Sequence, residues 1–197
     1  MNKKQSLEIL HKNMQNKNLR RHCYAVGFAL SGIYDYLKEN NWKEDSPDNV
    51  EEWEVLGILH DSDYELTKDD WTKHTLKTLE WFKEEGLSKT DPLYLAEMSH
   101  NNKITGLREP KTQMEWALEC CDELTGFIVA IALIKPEKKL SAVDLAGVKK
   151  KFKQKAFAAA VEREQIAQCE EKLNIPLGDF VEVVLKAMQK NSNELGL

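Results

Sequence analysis

An all-α helical bundle is the fold this sequence predicts, and three observations predict it. Apolar residues recur at spacings of three and four, the period of one helix face. Cap residues and prolines stand at the starts of several such runs, with glycine or proline near their ends. No segment shows the apolar–polar alternation of a half-buried strand. At 197 residues the chain suits one domain with a sizeable core.

The elements follow in order. After an N-terminal helix carrying a solvated His11, Leu19, His22, Ala25, Val26, Ala29, Leu30 and Ile33 share one face of a second helix. A third is expected to open at Ser46 as N-cap with Pro47 in its first turn, presenting Trp53, Leu56, Gly57 and His60 together. Thr67 and Asp70 read as the next start. The helix behind them aligns Trp71, His74, Thr78, Trp81 and Phe82 before Gly86 closes it. Asp91 and Pro92 cap a short helix that brings His100 to its C-terminus. A long helix over 113–134 aligns Leu118, Asp122, Thr125, Gly126, Val129 and Leu133. Three more amphipathic helices are expected over 141–160, 162–173 and 176–191. Residues 135–139 (KPEKK) are the best boundary between a helical core and a C-terminal helical extension. No internal repeat occurs.

Composition excludes several functions. With 31% charged residues, 42% hydrophobic ones and a formal charge of -5, the chain is a mildly acidic globule, so broad nucleic-acid binding is not expected. Its longest apolar run, FIVAIALI, is far short of the ~20 residues that cross a bilayer, so no membrane partner is expected. The N-terminus lacks the apolar core of a secretory signal. Cys23, Cys120, Cys121 and Cys169 form no C-x-x-C pair and read as reduced packing thiols, so a cytoplasmic location is expected.

The chemistry lies with the histidines. His22, His60, His74 and His100 all fall on inward faces or at helix ends, in company with Asp61 and Asp122. One such histidine is ordinarily a hydrogen-bonded core residue. Four, with two carboxylates whose unpartnered burial would cost several kcal/mol each, point to a shared cation. Imidazole and carboxylate without thiolate suit a divalent transition metal: iron, manganese, cobalt, nickel or zinc.

The order His22, the doublet His60-Asp61 in VLGILHDSDYE, then Asp122 in CCDELTG resembles the H…HD…D signature of the HD-domain superfamily, whose members are helical metal-dependent phosphohydrolases. The match covers about residues 18 to 135, with 136–197 as the extension of a single domain. LHDSDYE, DELTGFIVAIALIKPEKKL and VKKKFKQKAFA further resemble a subgroup of small bacterial and archaeal predicted HD-superfamily hydrolases. The resemblance implies that His22, His60, Asp61 and Asp122 bind one metal and that Asp61 bridges to a second. His74 and His100 stand where two-metal branches supply further ligands. His100 is followed by Asn101, and no G-Y-P motif occurs, unlike the cyclic-dinucleotide phosphodiesterase branch.

Around this set, Asp63 is a candidate general acid or base, or else a turn cap. Thr125, one turn beyond Asp122, is placed to orient that carboxylate or simply to pack. Lys149 and Lys153 share a helix face and are candidates to meet a substrate phosphate, although a solvated stripe beside Val148 and Phe152 is the commoner role. The expected activity is therefore hydrolysis of a phosphomonoester or phosphodiester, nucleotides among the candidates, by attack of a metal-activated water, with Asp61 and Asp63 as catalytic residues. Two rivals stand beside it. The ligand order H…HD…H…H…D is also that of the superfamily's mixed-valence di-iron oxygenases, and a module that binds metal or nucleotide without turnover would keep the same ligands.

Overall fold

The computed structural model describes all 197 residues, and no strand occurs in it. The chain runs through α1 (Lys3–Asn13), α2 (Lys17–Asn40), α3 (Val50–Leu59), α4 (Tyr64–Thr67), α5 (Leu76–Glu84), α6 (Pro92–Ser99) and α7 (Asn102–Thr105). It continues through α8 (Gln113–Ile134), α9 (Leu145–Phe152), α10 (Arg163–Ala167), α11 (Cys169–Lys172), α12 (Leu177–Lys190) and α13 (Ser192–Leu195). Short 3-10 turns lie at Trp71–Lys73 and Leu140–Ala142.

Helix α2 is the axis of the fold, packing against α3, α8 and α12. Its face of Ala25, Val26, Ala29, Leu30 and Ile33 is fully buried, as its spacing predicts. The crossing with α3 is unusually close. A Cβ added to Gly57 would lie 2.4 Å from the backbone nitrogen of Gly27 and 2.5 Å from its Cα, so only glycine lets the two backbones meet. That contact lies one turn before His60 and five residues after His22, and it ties both imidazoles to one rigid junction.

Four elements differ from the sequence reading. Helix α3 starts three residues later than Pro47, capped by Asn49, whose side chain accepts from Glu51 N. Ser46 instead serves α8: its Oγ accepts from Met114 N at 2.9 Å, and Asp45 accepts from Gln113 N. The run expected as one helix behind Asp70 is divided, because Thr75 is left-handed (φ 75) between the 3-10 turn and α5. The helix expected over 141–160 ends at Phe152. Beyond it, the Arg163 guanidinium takes up the carbonyls of Phe152, Gln154, Phe157, Ala158 and Val161, and so replaces helical bonds with side-chain ones. The fourth difference is the stretch over 162–173, which is split into α10 and α11.

Helix α8 has the expected bounds, and a capping box fixes its start: Glu115 N bonds Thr112 Oγ1, and Thr112 N bonds the Glu115 carboxylate. Helix α12 lays Phe180, Val184, Leu185 and Met188 into the core, and buried apolar residues form one cluster from Leu10 to Leu195. The C-terminal helices therefore share the core of the first 135 residues. No helix is long and apolar enough to cross a membrane.

Candidate metal centre

His22, His60, Asp61, His74, His100 and Asp122 come from five places in the chain and converge on one spot. His22 projects from the second turn of α2 and Asp122 from the middle of α8. His60 is the C-cap of α3, with Asp61 in the turn behind it. His74 ends the 3-10 turn, and His100 is the C-cap of α6.

Two donor groups flank Asp61, and His60, His100 and Asp122, whose ligand atoms lie within 4.8 Å of one another, join them. On one side, His22 Nε2 lies 2.9 Å from Asp122 Oδ1 and 3.6 Å from Asp61 Oδ2. His60 Nε2 stands 3.5 Å from that Asp122 oxygen and 3.7 Å from Asp61 Oδ2. On the other side, His74 Nε2 and His100 Nε2 are 3.3 Å apart and lie 3.1 and 3.4 Å from Asp61 Oδ1. Metal–ligand bonds of about 2.1 Å put neighbouring ligand atoms roughly 3.0–3.4 Å apart; the His74 side lies within that range, and the His22 side, at 2.9–3.7 Å, lies within a few tenths of an ångström of it. One oxygen of Asp61 faces each group, which is the arrangement of a bridging carboxylate.

The imidazoles are oriented from behind. His60 Nδ1 donates to Gly57 O at 2.8 Å, so its Nε2 carries the lone pair. That Nε2 is fully buried without a hydrogen-bond partner, aimed at two carboxylates, and a cation is what would satisfy it. His74 Nδ1 donates to Asp63 Oδ1 at 2.7 Å, and Glu119 Oε1 stands 3.7 Å behind His100 Nδ1. The donor set of nitrogen and oxygen without sulfur fits the divalent transition metals.

Electrostatics give the same picture. Burial alone would lower the pKa of His22, but the hydrogen bond and charge of Asp122, with Asp61 behind, raise it to about 9. His100 is raised well above its ordinary value, Asp61 and Glu119 outweighing burial. Burial would raise Asp61, yet the surrounding histidines hold it well below the usual carboxylate range. Without a cation, protons thus hold these carboxylates and imidazoles together, and a cation entering the site must displace them.

The site opens into a cavity of about 630 Å³. Tyr64 and Trp71, edge-to-face with centroids 5.2 Å apart, stand on the His74 side. Glu119, Glu123, Lys103, Glu162 and Gln165 line the wall across α8 and α10, with Lys103 Nζ bonded to Glu162 and, at 2.6 Å, to Gln165.

Three sequence expectations change here. Asp63 is fully buried and does not line the cavity. Both its oxygens are engaged, by His74 on one side and by Lys77 N and Thr78 N on the other, so it positions His74 and does not reach reacting atoms. Lys149 and Lys153 line a different, 220 Å³ hollow with Val148, Phe152 and Val181 and take no part in the cavity wall. The cation that does line it is Lys103, which pattern reading missed because α7 is a four-residue turn with no periodicity. Thr125 donates its hydroxyl to Asp122 O at 2.8 Å, a backbone bond within α8 that leaves the Asp122 carboxylate untouched.

Glu97 was also missed. It is fully buried on α6, neither oxygen has a hydrogen-bond partner, and burial pushes its carboxyl well above the ordinary range.

Comparison with protein-family models, with curated proteins and with solved structures gave no match to this chain.

Proposed function

We propose that this protein is a metal-dependent phosphohydrolase of the HD-domain type, acting on a phosphomonoester or phosphodiester at a two-metal centre. The observation that carries the reading is Asp61, whose two oxygens face separate His-containing donor groups. Divalent cations held there would lower the pKa of water toward neutrality and offset charge at phosphorus. The chain's own residues do the positioning. His60 is fixed by Gly57 O, His74 by Asp63, and Lys103 brings a positive charge to a cavity wall that otherwise holds Glu119, Glu123 and Glu162. Lys103 is the residue we assign to the substrate's phosphoryl oxygens, a role for which Lys149 and Lys153 are out of place.

A second reading is favoured by that same displacement of the lysines. With the lysine cluster outside the cavity, phosphate recognition rests on the metals and Lys103, and the ligand order of the mixed-valence di-iron oxygenases fits equally well. Anaerobic protein loaded with manganese or cobalt is expected to release phosphate or a phosphomonoester from members of a phosphoester panel. Lys103→Met should raise KM by roughly tenfold without lowering metal content. Turnover seen only with iron and dioxygen, and never anaerobically, would overturn the hydrolase reading in favour of the oxygenase.

A further inference from the structure

Gly126 has no structural reason to be a glycine. Every other glycine of the chain either has a positive φ or would bring an added Cβ within 3.0 Å of a neighbour, whereas a Cβ on Gly126 would meet nothing within 4 Å. It lies inside α8, where glycine costs backbone entropy that alanine would not. It also lines the cavity at its exposed mouth, one helical turn beyond Asp122 on the same face.

The surroundings say what that space would take. Leu19, one turn before His22 on α2, and Val161 line the same cavity. Glu123, the nearest charge along α8, is turned to Glu162, accepting its backbone N–H at 3.4 Å. The opposite direction along α8 is polar, with Glu119 bonded by Gln165 and with Lys103 beyond. Leu19 and Val161 thus give the cavity apolar wall alongside the charged groups of Glu119, Glu123, Glu162 and Lys103.

We propose that Gly126 is the specificity-determining residue of this cavity, its missing side chain leaving room beside Asp122 for the apolar carbon group of a phosphoester's alcohol. The inference rests on the phosphoryl reading of the metal centre. A side chain at position 126 would then act as a size filter on the organic part of the substrate, leaving the phosphoryl group to the metals and Lys103.

The test uses manganese-loaded protein and three non-hydrolysable probes: inorganic phosphate, methylphosphonate and phenylphosphonate, with affinities measured by calorimetry. Wild type is expected to bind all three. In Gly126→Leu the ratio of phenylphosphonate to phosphate affinity should fall by at least roughly tenfold, with metal content unchanged. Gly126→Ala, which adds one methyl group into open space, should move the ratio in the same direction by less and guards against a leucine variant that folds poorly. An unchanged ratio in both variants overturns the inference while leaving the phosphoryl reading intact. Failure of metal-loaded wild type to bind any of the three anions overturns the phosphoryl reading and this inference with it.

Discussion

The two halves of the candidate metal centre are built by different means. His22, His60 and Asp122 stand on α2, α3 and α8, and the first two of these helices are locked by the Gly27–Gly57 contact. His74 comes from a short connection and His100 from the C-cap of α6, and each is followed directly by a left-handed non-glycine residue, Thr75 (φ 75) and Asn101 (φ 55). A β-branched residue in that region costs on the order of 1–3 kcal/mol. The buried atoms without hydrogen-bond partners, His60 Nε2 apart, also lie in that second region: Thr75 Oγ1 and both oxygens of Glu97. One half is thus preformed by helix packing, and the other concentrates strain and unpaired burial beside its ligands. Such local costs persist only where something else over-determines the geometry, and a bound cation is the natural source. The half bearing His74 and His100 should therefore hold its metal more weakly and lose it first.

Asp61 belongs to both halves, so its removal gives the largest effect and erases the distinction. Asp61→Asn replaces the one carboxylate that faces both donor groups, and elemental analysis after gel filtration should find almost no metal where wild type holds about two per chain. His74→Ala should keep about one, held by His22, His60, Asp61 and Asp122. If Asp61→Asn retains full metal content, the bridging geometry is wrong. If His74→Ala loses both ions, the halves are not separable.

A smaller effect isolates the second half through a residue that touches no metal. Asp63 holds His74 Nδ1 and also receives the first backbone N–H groups of α5 from Lys77 and Thr78. Asn in its place offers one acceptor oxygen instead of two and no charge to hold the imidazole. Metal affinity on the His74 side should fall about 10–100-fold, while affinity on the His22 side stays at the wild-type value. Stepwise competition with a chromophoric chelator resolves the two ions. Equal weakening of both would remove the asymmetry argued here.

How much of this the sequence made legible depended on how local the cause was. The bounds of α8 follow from Thr112, Glu115 and Pro136 within the segment itself, and the placement of His60 and His100 at helix ends follows from the periodicity before them. Helical register likewise sufficed to put His22 and Asp122 on the inner faces of their helices. What escaped was set by partners distant in the chain. Ser46 caps α8, some 68 residues away, rather than the helix that follows it. The run after Phe152 has helical composition, yet Arg163 captures its carbonyls. Asp63 beside His60-Asp61 looked placed for proton transfer, and only the fold turns it onto His74. Lys149 and Lys153 offer charge on one shared helix face, which says nothing about which side of the molecule that helix occupies. Glu97 gave no signal, since a glutamate on a short helix is ordinarily solvated.

Glu97 supplies the mildest test of the same contrast. Burial raises its pKa first of all, and the charges of Asp63 and Asp61 add to that, against His100 and the Thr78 hydroxyl. Burial holds this carboxyl well above the ordinary carboxylate range in the folded chain, whereas the unfolded chain ionises it near the ordinary value of about 4.3. Below that value both states carry the proton and stability is indifferent to the group. Above it the folded state retains a proton that the unfolded state has released, so stability falls as pH rises toward the raised folded pKa. Glutamine is neutral in both states and nearly the same shape. Glu97→Gln should therefore match wild type at about pH 4 and exceed it by a margin that grows as pH rises toward about 7, measured by denaturant unfolding in the presence of a chelator. Cations bound at Asp61, His74 and His100 would favour the ionised carboxylate, so metal loading should narrow the gap. Parallel stability curves for the two proteins across that pH range would show that Glu97 ionises freely, and the second half of the centre would no longer be the one carrying the unpaired burial.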